Sequence, residues 1–429
     1  MKISPARTAA FDVLLRIEIE RAFSSVLLPM FEADLSPVDR ALCHELTLGT
    51  LRRQMYLDRV IDTFAGGKKI DLAVRIALRL ALYQLYNLDK VPHYSAINES
   101  VNLVQRAKKT SAKGFANAIL RRASREHPDL SFVDEIERLS VESSHPRWLI
   151  EKWIGYLGFD ETVRLAAANN EIAETAFRVI GGLSDEGQKV IEASRPSVFV
   201  EGCYLAEKGE QRIFELAERG EIYLQDETSQ MVAQTLEIPR DGYFLDVCAA
   251  PGGKTGLIAV RSPAARLVAA GDIHGPRVEF LKENCRRQGA AFAQILQYNA
   301  QGSLPFAHEA FDCVFVDAPC SGTGTIRRNP EIRYFLKPED LNELAAKQLS
   351  ILTNASKLVR SGGTIIYSTC SLETEENESV CKPFLMGNLE FQSVLPNLAA
   401  KFVTETGFAR TWPQRDNMDG FFIAEFRRT

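Results

Sequence analysis

The sequence predicts a multidomain chain: an all-α N-terminal domain over residues 1–128, a small α+β module over 129–222, and a doubly wound α/β domain over 223–429. Three observations lead there. Apolar residues keep helical spacing, without β-type alternation, as far as Arg125. The next stretch mixes helical and strand-like runs with turn-type glycines. From about Gln225 onward, short apolar runs alternate with amphipathic ones. A length of 429 residues accommodates two or three domains of about 100–200 residues.

In the first segment, Phe11, Leu14, Leu15 and Ile17 form one apolar stripe, and Val60, Ile61 and Phe64 another. Residues 72–88 place Val74, Ile76, Ala77, Leu80, Ala81, Leu82, Leu85 and Tyr86 at three- and four-residue intervals. Ser36-Pro37-Val38-Asp39 supplies a helix cap, a proline at the first helical position and an acid in the first turn. In the middle module, residues 148–156 read as a helix, and residues 175–180 and 197–200 as strands. Gly181-Gly182 and Asp185-Glu186-Gly187 punctuate them. In the last segment, strands are expected at 243–248, 267–273, 311–316, 363–367 and 421–426, with helices at 276–288 and 341–358. Ligands of such a domain bind at the carboxyl ends of its strands.

Charge divides the chain. Its formal charge of −5 averages residues 1–127, with 20 bases and 13 acids, and a remainder with 31 bases and 43 acids. Residues 102–125 hold no acid but seven bases: Arg106, Lys108, Lys109, Lys113, Arg121, Arg122 and Arg125. Such a run is usually a solvated helix face, but its lack of acids suits contact with a polyanion. A hydrophobic share of 45% excludes a globally disordered chain. The eight cysteines and six histidines are scattered, with no CxxC pair, so no metal site or disulfide framework is expected and a reducing, cytoplasmic setting is. No uncharged apolar run reaches the ~18 residues of a membrane span, so no membrane partner is expected. Nothing in the sequence demands an oligomer, and a monomer is expected.

Four segments carry chemistry. Residues 245–255 (LDVCAAPGGKT) leave a strand through small residues into a helix, letting backbone approach a ligand. The run is neither a P-loop nor GxGxxG. Asp272 ends the next strand, 26 residues after Asp246, near the spacing at which an acid meets ribose hydroxyls. A tight turn or a capping acid would explain either feature alone; together they favour a nucleotide-type site. Asp317-Ala318-Pro319-Cys320-Ser321-Gly322-Thr323-Gly324 and Ser368-Thr369-Cys370-Ser371 each follow a strand directly. Most free cysteines are small buried hydrophobes, and Cys43, Cys203, Cys285, Cys313 and Cys381 keep that reading. Cys320 and Cys370 stand out by position.

An adenosine-type cofactor, an acid and thiols together suit one reaction. Carbon 5 of a pyrimidine is a poor nucleophile until something adds to C6, and a thiolate is suited to that addition. A neighbouring acid can stabilise the charge that develops, and a base-like group must remove the C5 proton before the thiol leaves. Asp317, Cys320 and Cys370 supply these groups, without their types alone deciding which thiol attacks.

On these segments, with Tyr223–Gln230 (YLQDETSQ), residues 368–378 (STCSLETEENE), residues 317–333 (DAPCSGTGTIRRNPEIR) and Asp419-Gly420-Phe421-Phe422, the chain resembles the RNA cytosine-5 methyltransferases of the RsmB/NOP family, of the RsmB (Sun/Fmu) type. The first segment is similar to the NusB-like fold through Asp39-Arg40, Gly49-Thr50-Leu51-Arg52, Tyr83-Gln84, Val91-Pro92 and Asn117-Ala118-Ile119-Leu120-Arg121. The resemblance implies a NusB-like RNA-binding domain, an α+β RNA-contact module and a Rossmann-like methyltransferase domain acting on 16S ribosomal RNA. It implies that Cys248, Ala249, Ala250, Pro251, Gly252, Gly253 and Lys254 line an S-adenosylmethionine site, that Asp272 holds the ribose, and that Asp317 lies between the methionine end and the target base. It implies Cys370 as the C6 nucleophile and Cys320 as the residue assisting release. In DNA cytosine-5 enzymes the attacking thiol is instead that of a Pro-Cys pair, here Cys320. Two departures stand out: Asn299 replaces the usual acid near the adenine, and Ile180 stands where asparagine is frequent. Arg327, Arg328 and Arg333, close after Cys320, are expected to meet RNA. The alternatives are a non-catalytic NusB-like RNA-binding or antitermination factor, and a cytosine-5 methyltransferase of another nucleic acid.

Overall fold

The structure is a computed structural model that describes residues 3–429. The chain forms two compact units: residues 3–171 with the returning segment Ile326–Leu336, and Ile172–Thr325 with Lys337–Thr429.

The first unit begins with seven helices: α1 (Pro5–Glu20), α2 (Ser24–Glu32), α3 (Pro37–Arg52), α4 (Gln54–Ala65), α5 (Leu72–Asn87), α6 (His93–Arg106) and α7 (Lys113–Ala123). The expected start of α3 is found: the Ser36 hydroxyl accepts from Asp39 N–H at 3.2 Å, and Pro37 opens the helix. One apolar cluster joins the helices, including Phe11, Ile17, Leu46, Val60, Ile76, Leu80, Leu103 and Leu120. Gly49 admits the Tyr83 ring so closely that a Cβ there would lie 2.0 Å from it. Helices α8 (Glu135–Ser143), α9 (Arg147–Leu157) and α10 (Phe159–Ala168) complete this part.

The second unit opens with an antiparallel sheet made of β1 (Ala176–Val179), β2 (Arg195–Pro196), β3 (Cys203–Leu205) and β4 (Ile222–Leu224), in the order β2-β3-β1-β4. Helices α11 (Asp185–Ala193) and α12 (Arg212–Glu218) accompany it. Residues 197–200, expected to be a strand, form a turn. The Ser197 hydroxyl accepts from the N–H groups of Phe199 and Val200 at 3.1 and 2.9 Å, taking donors that a ladder would need.

The larger sheet contains β5 (Tyr243–Asp246), β6 (Leu267–Asp272), β7 (Gln294–Gln297), β8 (Phe311–Asp317), β9 (Val359–Thr369), β10 (Phe391–Val394), β11 (Ala409–Thr411) and β12 (Phe421–Arg428). Its order is β10-β12-β9-β8-β5-β6-β7, with β11 also on β12. The five strands from β7 to β9 are parallel, while β12 runs antiparallel to β9. Alternate residues face opposite ways. Phe244, Val268, Phe315 and Ile366 join one core with α13 (Glu227–Gln234), α14 (Gly253–Arg261) and α15 (Gly275–Arg287). Leu245, Ala269, Val314 and Ile365 join another with α17 (Pro338–Ser356) and α18 (Glu378–Gly387), the short α16 (Ile332–Phe335) lying in the returning segment. Covering both faces explains the nearly unbroken apolar run of β8. Among the described residues, no helix is long and apolar enough to cross a membrane.

Candidate active site

Parallel pairing brings the carboxyl ends of β5, β6, β8 and β9 to one edge, with Asp317 opposite Ser368 in register. The strand order reverses between β5 and β8, where such folds bind ligands.

After β5 the chain turns through Cys248–Gly252 into α14. Side chains of α15 hold this turn from behind. Arg277 donates to the Ala250 carbonyl at 2.8 Å, Asn284 to that of Pro251 at 2.7 Å, and Gln288 to that of Gly252 at 3.2 Å. Gly252 has φ = 100°, and a Cβ there would meet Leu281 at 2.7 Å, so only glycine keeps the turn against α15. Buried Asp246 accepts the Thr255 hydroxyl at 2.6 Å through Oδ2, while Oδ1 has no protein partner. Burial pushes its carboxyl up to about 7, with the Asp317 charge adding and Lys254 opposing. Asp272, also buried, accepts from His274 N–H at 3.0 Å. S-adenosylmethionine carries ribose hydroxyls and an amine that need acceptors. An unpartnered carboxylate oxygen, a second buried acid and a glycine-lined turn fit it.

Lys254 Nζ lies 2.7 Å from Asp317 Oδ2, and the Ser368 hydroxyl donates to Oδ1 at 2.8 Å. Burial alone would lower the Lys254 ammonium, but the adjacent Asp317 charge and hydrogen bond raise it. The sequence places Lys254 in the cofactor loop but gives no local sign of this pair.

Cys320 and Cys370 meet with their Sγ atoms 3.3 Å apart, both partly exposed. The contact with Cys370, followed by burial, raises the Cys320 thiol well above its usual range. Elsewhere, burial pushes Cys43, Cys203, Cys285 and Cys313 up to about 12, as inert core thiols require. Beneath the pair, buried Glu376 accepts from Ser321 N–H and from Gln348, a residue group that carried no expectation from sequence.

The basic run lies in the other unit, on α6, α7, the turn between them and the turn after α7. Arg106, Lys108, Lys109, Arg121, Arg122 and Arg125 are exposed, and Lys113 is half-buried. Arg106 pairs with Asp12, Lys109 with Asp71 and Arg122 with Glu126, while Lys113 donates to Gln105. Asn299 is exposed after β7, and its Oδ1 accepts from Gln301 N–H at 3.0 Å in a local turn. The expectation for Arg333 is corrected: it is wholly buried in the first unit. Its guanidinium donates to the carbonyls of Ser143, Ser144 and Asn169 at 3.2 Å each and to Asn170 at 2.9 Å. Arg327 is buried too, at 4% exposure, and Arg328 is half-buried.

Residues 233–427 match the family described as 16S rRNA methyltransferase RsmB/F, and residues 4–125 match the NusB family. The chain is 34% identical to a probable ribosomal RNA small subunit methyltransferase B of Bacillus subtilis, covering 100% of both chains. It is 28% identical to ribosomal RNA small subunit methyltransferase B of an Enterobacter species, over 99% of each. Among solved structures, PH0851 superposes over 100% of both chains with a TM-score of 0.84 and 26% identity. NSun6 from Pyrococcus horikoshii superposes on 66% of this chain and 98% of its own, with a TM-score of 0.58 and 21% identity, which shows the shared fold.

Proposed function

The chain belongs to the RsmB/F family of ribosomal RNA methyltransferases, and on that premise we propose that it methylates C5 of a cytosine in 16S ribosomal RNA through a covalent bond from Cys370 to C6. The observation that carries this reading is the pair of thiols beside Asp317 at the carboxyl edge of β8 and β9. S-adenosylmethionine, when bound, supplies an electrophilic methyl group.

The Cys320 thiol, held well above its usual range by its contact with Cys370 and by burial, lies in hydrogen-bond contact with the Cys370 sulfur that attacks. Attack of that sulfur on C6 shifts electron density to C5 and N3 and makes C5 nucleophilic. Asp317 is fixed on both oxygens by Lys254 and Ser368, yet each oxygen can accept once more. That spare capacity suits the exocyclic amine or a protonated N3 of the base, where charge develops. Cys320, once its own proton has passed to solvent, takes the C5 proton, and the C–H electrons form the C5–C6 double bond as the C6–S bond breaks and Cys370 leaves as a thiolate. The Cys320 S–H, in contact with the departing sulfur, stabilises the thiolate that leaves. The base must be unstacked for sulfur to reach C6.

Asp272, Asp246 and the turn from Cys248 to Lys254 hold the cofactor, with Asn299 offering an amide near the adenine. The exposed bases of residues 102–125, together with Lys113, dock RNA phosphates. Their ion pairs with Asp12, Asp71 and Glu126 are exposed and cost little to exchange. Arg328 remains assigned to RNA, and buried Arg327 can join it only if the returning segment moves. We assign no metal or membrane partner, and the chain acts as a monomer in the cytoplasm.

Labelled methyl transfer to naked 16S rRNA, assembled small subunits, tRNA and DNA tests the assignment. Incorporation confined to small-subunit RNA, lost in Cys370→Ala with cofactor binding intact, is expected. Full turnover by that variant, or transfer mainly to tRNA or DNA, contradicts it.

A further inference from the structure

Glu376 lies at the end of the short helix Thr374–Glu376, six residues past Cys370, and is completely buried. Its Oε1 accepts from Ser321 N–H at 2.8 Å and from the Gln348 amide at 2.9 Å. Its Oε2 accepts the hydroxyls of Ser321 and Ser371. Ser321 follows Cys320 directly and Ser371 follows Cys370. Gln348 also donates to the carbonyl of Pro319 at 3.0 Å, on the other side of Cys320. One carboxylate thus spans both cysteine turns.

We propose that Glu376 is a positioning residue for methyl transfer, tying the two cysteine turns together so that the Cys370 sulfur is held for attack. The inference rests on the covalent reading above. The turns leave different strands, consist of small residues, and have little side-chain packing of their own to fix them. A buried carboxylate bonded only to neutral donors is a costly way to close a loop. What it provides is four acceptor sites in fixed directions, which neutral packing does not. The backbone of Glu376 is fixed in turn, its carbonyl accepting from Tyr367 OH at 2.6 Å. Its charge also opposes ionisation of Cys320.

The test uses the full chain carrying Cys320→Ala, with transcribed 16S rRNA, S-adenosylmethionine and denaturing gels that score the protein–RNA adduct. This parent must first accumulate adduct. If it does not, the covalent reading fails by itself, whatever Glu376 does. Given adduct, adding E376A should slow its formation roughly 100-fold at saturating RNA, as a displaced nucleophile does. The RNA concentration at half-maximal rate should not change. E376Q keeps an acceptor for the amide donors, and the serine hydroxyls can rotate to accept from it, so it should recover to within about 10-fold of the parent. Adduct formed at the parent rate in E376A overturns the proposal, as does an E376Q that recovers nothing. Should E376A fail to fold, the S321A/S371A double variant, which removes only the hydroxyl arms, replaces it. A parent-like adduct rate in that variant overturns the proposal equally.

Discussion

The sulfurs of Cys320 and Cys370 lie 3.3 Å apart although 50 residues separate them in sequence. Adjacent parallel strands deliver both, each at the first turn past its carboxyl end. A two-electron thiol oxidant such as diamide should therefore join them in a disulfide, taking one hydrogen from each, and stop methyl transfer until dithiothreitol restores both thiols. Peptide mapping by mass spectrometry would identify the bond. Full activity after complete oxidation of the accessible thiols would contradict the assigned role of the pair.

Asp246 makes stability depend on pH. Burial holds its carboxyl at about 7, against an ordinary 3.8. Below about pH 4 folded and unfolded chains both keep the proton. Above that, the unfolded chain ionises first, so the folded state binds more protons and its stability falls until about pH 7, then levels. Asp246→Asn cannot ionise. Its stability relative to the parent should rise between pH 4 and 7 in urea denaturation, by up to ~4 kcal/mol. A difference independent of pH would show that Asp246 is not held protonated.

Backbone bonds tie the Cys370 turn to the last strand. Gly324 N–H donates to the Cys370 carbonyl at 2.9 Å, and Gly420 N–H to that of Gly324 at 2.8 Å. A Cβ on Gly324 would lie 1.9 Å from the Gly420 oxygen. Gly324→Ala must therefore push these segments apart, and kcat should fall roughly 100-fold while S-adenosylmethionine affinity holds. Parent-like kcat would mean that this contact does not position Cys370.

Arg333 supports the first unit. Replacing it with Met strips donors from three buried carbonyls and the Asn170 side chain, at a cost of about 3 kcal/mol. Chemical denaturation should detect it. A loss under about 1 kcal/mol would show that water or rearrangement replaces those bonds.

Local rules made much of this molecule readable. The Ser36 cap, the alternation that builds the larger sheet, and the placement of Asp272 and Asp317 at strand ends and of Cys320 and Cys370 just past them all follow from short-range pattern. What depended on distant partners did not. Arg333 sits in a basic run that resembles a solvated surface, and only carbonyls from the turn after α8 and the end of α10 explain its burial. The Lys254–Asp317 pair spans 63 residues, and no local spacing announces it. Glu376 lies in an acidic stretch whose composition suggests an exposed helix end. Residues 197–200 have the composition of a strand, yet one serine hydroxyl takes the donors that pairing requires.

The measurement that bears most directly on the account is isolation of the covalent intermediate. Cys320→Ala, incubated with 16S rRNA and S-adenosylmethionine and then denatured, should retain RNA. Nuclease and protease digestion followed by mass spectrometry should find a methylated cytidine attached at Cys370. An adduct at any other residue, or methylated RNA with no adduct in that variant, would contradict the assignment of the two cysteines.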